Sequence, residues 1–117
     1  MSYVDGFVIP LPKKNLKTYA RMAKDGAALW MKHGALDYKE CVGDDLQTKW
    51  GMPFQRLLKL KPGETAVFSY ILFKSRAHRD RVNAKVMREM EKAGAPKEMP
   101  FDMKRMVYGG FKVFVEG

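Results

Sequence analysis

One cysteine and two histidines are all that 117 residues offer to a disulfide framework, a thiol relay or a soft metal. Cys41 alone excludes an intramolecular disulfide and suits a reducing compartment. His33 and His78 stand in no ligand spacing with Cys41 or with paired carboxylates, so no metal centre is written into the chain and nothing in it asks for a cofactor. A phosphate-cradling glycine loop is missing as well. No run of about 18 apolar residues exists, and no basic leader followed by a long apolar region opens the chain; the expectation is a cytoplasmic protein without a membrane partner. Repeats and low-complexity tracts are absent, and 46% of the residues are hydrophobic, which excludes disorder. Acidic residues are the last scarcity: 13 Asp and Glu face 22 Lys and Arg, a net charge of +9. Such a balance attracts nucleic acid, anionic surfaces or acidic metabolites unless the cations lie on a solvated helix face.

What is present reads as alternating elements in one domain, residues 1–117, long enough to bury roughly 65% of its unfolded surface. Tyr3 to Ile9 is rich in β-branched and aromatic residues and should be a strand stopped by Pro10 and Pro12. After Asn15, a candidate N-cap, Leu16, Tyr19, Ala20, Ala23, Ala27, Trp30 and Met31 recur at helical spacing until Gly34. Leu36 to Val42 alternates as a second strand, with Tyr38 and Glu40 on one face and Asp37, Lys39 and Cys41 on the other. A loop of about 20 residues follows, with Trp50 and Phe54 at its centre, a length that is unusual without local structure or a task. Thr65 to Phe73 is so apolar that both faces of a third strand should be covered. Ser75 caps a basic helix with Val82, Val86, Met90 and Ala93 on its stripe, ended by Gly94 and Pro96. A connector from 97 to 104 leads to a last strand, Met106 to Val115.

Strand, helix, strand, strand, helix, strand is the ferredoxin-like order. The expected class is therefore α+β, βαββαβ, with a four-stranded antiparallel sheet and two helices on one face. Large apolar groups fall on both faces of the first and last strands, so the face away from the helices should be covered by a second copy, burying about 800 Å² per partner.

Four segments, VDGFVIPLPKKN, KHGALDYKEC, FSYILFKSRAHRDRVNAKVM and MPFDMKRMVYGGFKVFVEG, run collinearly through nearly the whole chain and resemble the YbaA-like bacterial proteins of unknown function. That resemblance implies the dimeric α/β-barrel superfamily, in which two ferredoxin-like subunits meet through their sheets. It implies a homodimer independently of the surface argument. It brings no established reaction, although cofactor-free monooxygenase and isomerase chemistry occurs elsewhere in that superfamily.

The candidate residues divide by chemistry. Asp5, Glu40 and His78 are the groups that would hold or move a proton, each with a plainer alternative. Acids among apolar strand residues must be paired, Glu40 for example with Arg105 or a lysine, and His78 in a first helical turn can simply pack or hydrogen-bond. His33 suits a helix end, and Cys41 reads as a small buried hydrophobe. Trp50, Phe54, Tyr70 and Tyr108 could form the apolar wall of a small-molecule pocket, the first two as a lid or an arm across the dimer. The competing function is binding of RNA or another anionic partner by Arg76, Arg79, Arg81, Lys85 and Arg88. Tyr108 to Phe114 is similar to an aromatic RNA-stacking signature, but on the last strand instead of the third, where the longer signature belongs.

Overall fold

The computed structural model describes residues 1–96 and 98–117; Lys97, the first residue of the expected connector, lies outside them. Strands β1 (Tyr3–Pro12), β2 (Asp37–Val42), β3 (Glu64–Phe73) and β4 (Val107–Lys112) form one antiparallel sheet ordered β2-β3-β1-β4. Helices α1 (Leu16–Lys32) and α3 (Arg76–Ala93) are long, and a single turn, α2 (Phe54–Leu57), interrupts the long loop. The chain is thus mixed α+β. Among the described residues no helix is long and apolar enough to cross a membrane.

Strand parity decides what is buried. Tyr3, Asp5, Ile9 and Leu11 of β1 and Val67, Ser69, Ile71 and Phe73 of β3 turn to one face, where Val82 and Val86 of α3 and Leu29 and Trp30 of α1 pack on them. The opposite face carries Val4, Val8, Phe68, Leu72, Val107 and Phe111. Expected cover on both faces of β3 is therefore complete on one only: on the far face Ala66 is buried beside the loop, but Phe68 is 47% exposed. Glycine makes part of this packing possible. A Cβ on Gly110 would lie 2.8 Å from the Tyr3 ring, closer than packed carbon atoms tolerate.

Element ends follow local chemistry. The Ser75 hydroxyl accepts the His78 backbone N–H at 3.1 Å, the expected cap of α3. Asn15 begins α1 without capping it, because its side chain donates to the Pro100 carbonyl at 2.8 Å. Gly34, at φ 109°, takes the left-handed turn after α1. β1 runs through both prolines instead of stopping at Ile9. β4 leaves β1 after Val8, so beyond that point one side of β1 has no paired strand among the described residues, and proline's missing donor is tolerated there.

Arg105 locks the second half of the chain. Its two terminal nitrogens hold Glu64 at 2.7 Å each, Nε holds Asp102 at 3.0 Å, and Nη1 also donates to the Lys59 carbonyl at 3.1 Å. The guanidinium holds the Glu64 carboxyl down at about 2. An unfolded glutamate titrates at about 4.3. With the folded value below the unfolded one, this pair's stabilisation is complete above the unfolded value and is lost as pH falls through that window toward about 2. Urea midpoints followed by circular dichroism should decline over that range, and Glu64→Gln should flatten the decline by close to one proton's worth of slope. An unchanged acid limb in the variant would refute the role of the pair.

Candidate functional site

The side of α1 that overhangs β2 is built from Leu16, Tyr19, Ala20, Ala23 and Ala27. Alanines contribute little bulk, so the space between helix and strand is left unfilled as an open groove of about 370 Å³, closed from below by Tyr38, Glu40, Val42 and Val67. Behind it lies a second cavity of about 150 Å³, lined by Phe7, Ile9, Trp30, Ser69, Ile71, Phe101 and Met106. Tyr19, Tyr38 and Glu40 line both.

These three residues form one hydrogen-bonded unit. The Tyr19 hydroxyl donates to Oε1 of Glu40 at 2.8 Å, and the Tyr38 hydroxyl donates to Oε2 at 2.7 Å. Burial first, and then Glu40 through its hydrogen bond and its charge, push both phenols upward, so they stay protonated and keep donating. Each phenol has one proton and spends it on Glu40. Toward the cavities the unit therefore presents acceptors only: carboxylate lone pairs and phenol oxygens. Glu40 was expected to pair with Arg105 or a lysine; Arg105 is engaged with Glu64 instead, and the phenols take its place.

Asp5, 3% exposed, sits in a different network on the same face. Its Oδ1 accepts from Nη1 of Arg79 at 2.8 Å and its Oδ2 from Nδ2 of Asn83 at 3.3 Å; Oδ1 of Asn83 in turn accepts the Trp30 indole N–H at 2.9 Å. Burial pushes the Asp5 carboxyl up, against the pull of Asn83 and Arg79. Arg79 also bonds Asp80 at 2.8 Å and lies 4.8 Å from the centre of the Tyr3 ring. A strand acid and a helix arginine, read from the sequence as parts of competing functions, here hold each other.

His78 lines neither cavity. Its Nδ1 accepts the Lys74 backbone N–H at 3.0 Å, its ring meets Phe73 edge-on, and burial lowers its basicity. The ring joins the start of α3 to the end of β3. His33, at the end of α1, bonds Glu89 at 3.0 Å.

The four aromatics expected to form one wall are divided. Trp50 is 85% exposed on the loop. Phe54 joins Val8, Ala66, Phe68 and Cys41 around a hollow of about 250 Å³ on the far side of the sheet. Tyr70 shares that side and donates to Asp37 at 3.1 Å. Tyr108 lies on the helix side, stacked on Phe7 with centroids 5.6 Å apart. The register aligns Glu40, Ser69, Phe7 and Tyr108 in one row across all four strands, so Tyr108 ends the row that Glu40 begins. Cys41, expected to be buried, is exposed, because β2 is an edge strand and its outer face has no cover.

Residues 2–103 match a family described as protein of unknown function (DUF1428). The chain belongs to that family. The uncharacterized protein YbaA of Escherichia coli is 37% identical over 116 residues, spanning 99% of each chain. YbaA of Shigella flexneri matches to the same extent. Among solved structures, the de novo designed protein Foldit4 overlays with a TM-score of 0.46 at 11% identity, over 97% of this chain and 99% of that one. The resemblance carried by the four sequence segments is thus a true membership, and it leaves the chemistry to the geometry.

In this family member the basic helix divides too. Arg76, Arg81, Lys85 and Arg88 are exposed on α3, whereas Arg79 points inward to Asp5. Sequence reasoning named Tyr19 as a helix-stripe residue and Tyr38 as a strand residue without joining them to Glu40. The usable signal was parity: Tyr38 and Glu40 share a strand face, and a phenol on an alanine-lined helix side is the nearest donor for an acid on that face.

Proposed function

We infer that this protein binds a small organic molecule in the cleft between α1 and the sheet, and that it works as a homodimer joined through the opposite sheet face. The observation that carries the binding reading is the sharing of Tyr19, Tyr38 and Glu40 by the outer groove and the inner cavity: a polar recognition point set between two apolar compartments, the usual composition of a ligand site. Glu40 is the group in this cleft able to take a proton from a bound molecule, with both tyrosines holding it in place. Asp5 and His78 support the fold around it.

The dimer rests on the far face, where Val4, Val8, Phe68, Leu72, Val107 and Phe111 form a continuous apolar surface edged by Asp37 and Lys39. A ferredoxin-like subunit fits the strand order, which read from the other edge is β4-β1-β3-β2, and two such sheets face to face make an α/β barrel. On this reading the loop bearing Trp50 and Phe54 reaches toward the partner.

Native mass spectrometry of gently purified protein tests both parts. The expected species is twice the chain mass plus a discrete small adduct, and Ala23→Phe, which fills the groove, should remove the adduct and keep the dimer. A bare chain with no adduct at any ligand load overturns the cleft reading. Heterogeneous nucleic-acid mass that leaves as salt is raised overturns it in favour of the exposed cations of α3.

A further inference from the structure

We propose that the cleft recognises an organic ammonium ion, a protonated amine on a small apolar body, with Glu40 as its counter-charge. The proposal rests on the cleft being a ligand site and adds the chemistry of the ligand's head group. Its first support is a comparison among the acids that are not freely exposed. Asp5 has Arg79, Asp37 has Lys39, Glu64 has Arg105, and Glu89 has Lys32 and His33. Glu40 alone of that group, among the described residues, has no cation within ion-pair distance. Its partners are two neutral phenols.

A half-buried carboxylate without a counter-ion costs free energy that two phenol hydrogen bonds offset in part. In a chain of net charge +9, a cation of its own is the easy solution, and none is supplied. Lys39, the neighbour on β2, is turned to the other face and held by Asp37 at 2.6 Å. Lys24 lines the mouth of the outer groove without reaching Glu40.

The second support is the wall. Phe7, Tyr19, Trp30, Tyr38 and Phe101 all line the inner cavity around this carboxylate. Aromatic faces carry negative potential and attract a desolvated cation, most strongly at tryptophan, so a carboxylate within an aromatic enclosure is a chemistry suited to alkylammonium groups. Hydrogen-bonding capacity agrees. The unit of Glu40 and its two phenols offers acceptors and no spare donor, which matches an ammonium head with up to three N–H donors and repels a carboxylate or phosphate head. The alanine side of α1, with Leu16 and Val42, leaves apolar room for the body of the ligand.

The test uses three probes of nearly equal shape, phenethylammonium, phenethyl alcohol and hydrocinnamate, titrated at one ionic strength into the unaltered protein and followed by calorimetry and amide chemical shifts. Phenethylammonium should bind about tenfold or more tighter than the alcohol, with hydrocinnamate weakest, and the shifts should centre on Tyr19, Trp30, Tyr38 and Glu40. Glu40→Gln, which keeps an acceptor for one phenol and turns an amide N–H toward the oxygen of the other, removes the charge at nearly constant shape and should erase the preference for the cation over the alcohol. Equal or tighter binding of the alcohol or hydrocinnamate overturns the ammonium assignment and leaves the cleft reading standing. Binding by none of the three, with no shifts at the cleft, overturns both. The comparison on unaltered protein needs no variant, so a folding defect in Glu40→Gln cannot obscure the result.

Discussion

Asp5→Ala should cost this protein about 3 kcal/mol of unfolding free energy, one of the largest losses a single substitution can produce here. The cost comes from what stays behind. Arg79 would remain against Tyr3 with its main counter-charge gone, and Nδ2 of Asn83 would lose its acceptor. Replacing both ends, as Asp5→Ala with Arg79→Met, should recover most of the loss, because a neutral unbranched side chain can pack on Tyr3 without a buried charge. Urea denaturation followed by circular dichroism gives both values, and the coupling between the two sites should exceed about 1 kcal/mol. A single-variant loss within about 0.5 kcal/mol, with no coupling, would mean that the pair is effectively solvated. The same pair of variants bears on function. If Asp5 anchors α3 and does not move protons, Asp5→Asn should retain any ligand that the unaltered protein holds in its cleft.

How far the sequence could be read follows from which interactions are local. The Ser75 cap, the left-handed Gly34 and the helical stripe through Val82 and Val86 depend on neighbours within a turn, and all were legible. Strand parity was legible too, and put Tyr38 with Glu40. What parity could not say is which element lies over which face. The meeting of Tyr19 with Glu40 requires α1 to lie along β2, and the meeting of Arg79 with Asp5 requires α3 to cross β1, contacts separated by 21 and 74 residues. The run of cations from Arg76 to Arg88 therefore read as uniform, although one member points inward. Aromatic content misled for a related reason. Trp50, Phe54, Tyr70 and Tyr108 looked equivalent as apolar wall, but a sheet has two faces, and only Tyr108 shares Glu40's row. The prolines of β1 show the reverse case: a local rule gave a stop at Ile9, and the early departure of β4 removed the reason for it.

The second large effect is expected on the far sheet face. Phe68 pairs in register with Val8, and Val8 with Val107, while Val4 sits between Leu72 and Phe111; the ring of Phe111 spreads beside Gly6 and Gly109, which have no side chains to lift it. Two phenylalanines, 47% and 61% exposed, thus stand over a floor of branched aliphatics. Water contact with such a surface is unfavourable by roughly 25 cal/mol per Å², and a second copy of the same face removes it. The polar side of this surface lies at the β2 edge, where Lys39 of β2 and Tyr70 of β3 both donate to Asp37, an arrangement that suits an interface rim. Sedimentation of the unaltered protein should give a dimer at micromolar concentration. Phe68→Asp should raise the dimer dissociation constant by about 30-fold or more, since a central aromatic is lost and a charge must be desolvated at the contact. Phe68→Asp with Phe111→Asp should be monomeric, with its circular dichroism preserved, because neither ring belongs to the core beneath the helices. If the unaltered chain sediments as a monomer, the sheet-to-sheet pairing is wrong. If it is a dimer that both aspartates leave intact, the copies meet through another surface, and Trp50 on its exposed loop becomes the next residue to replace.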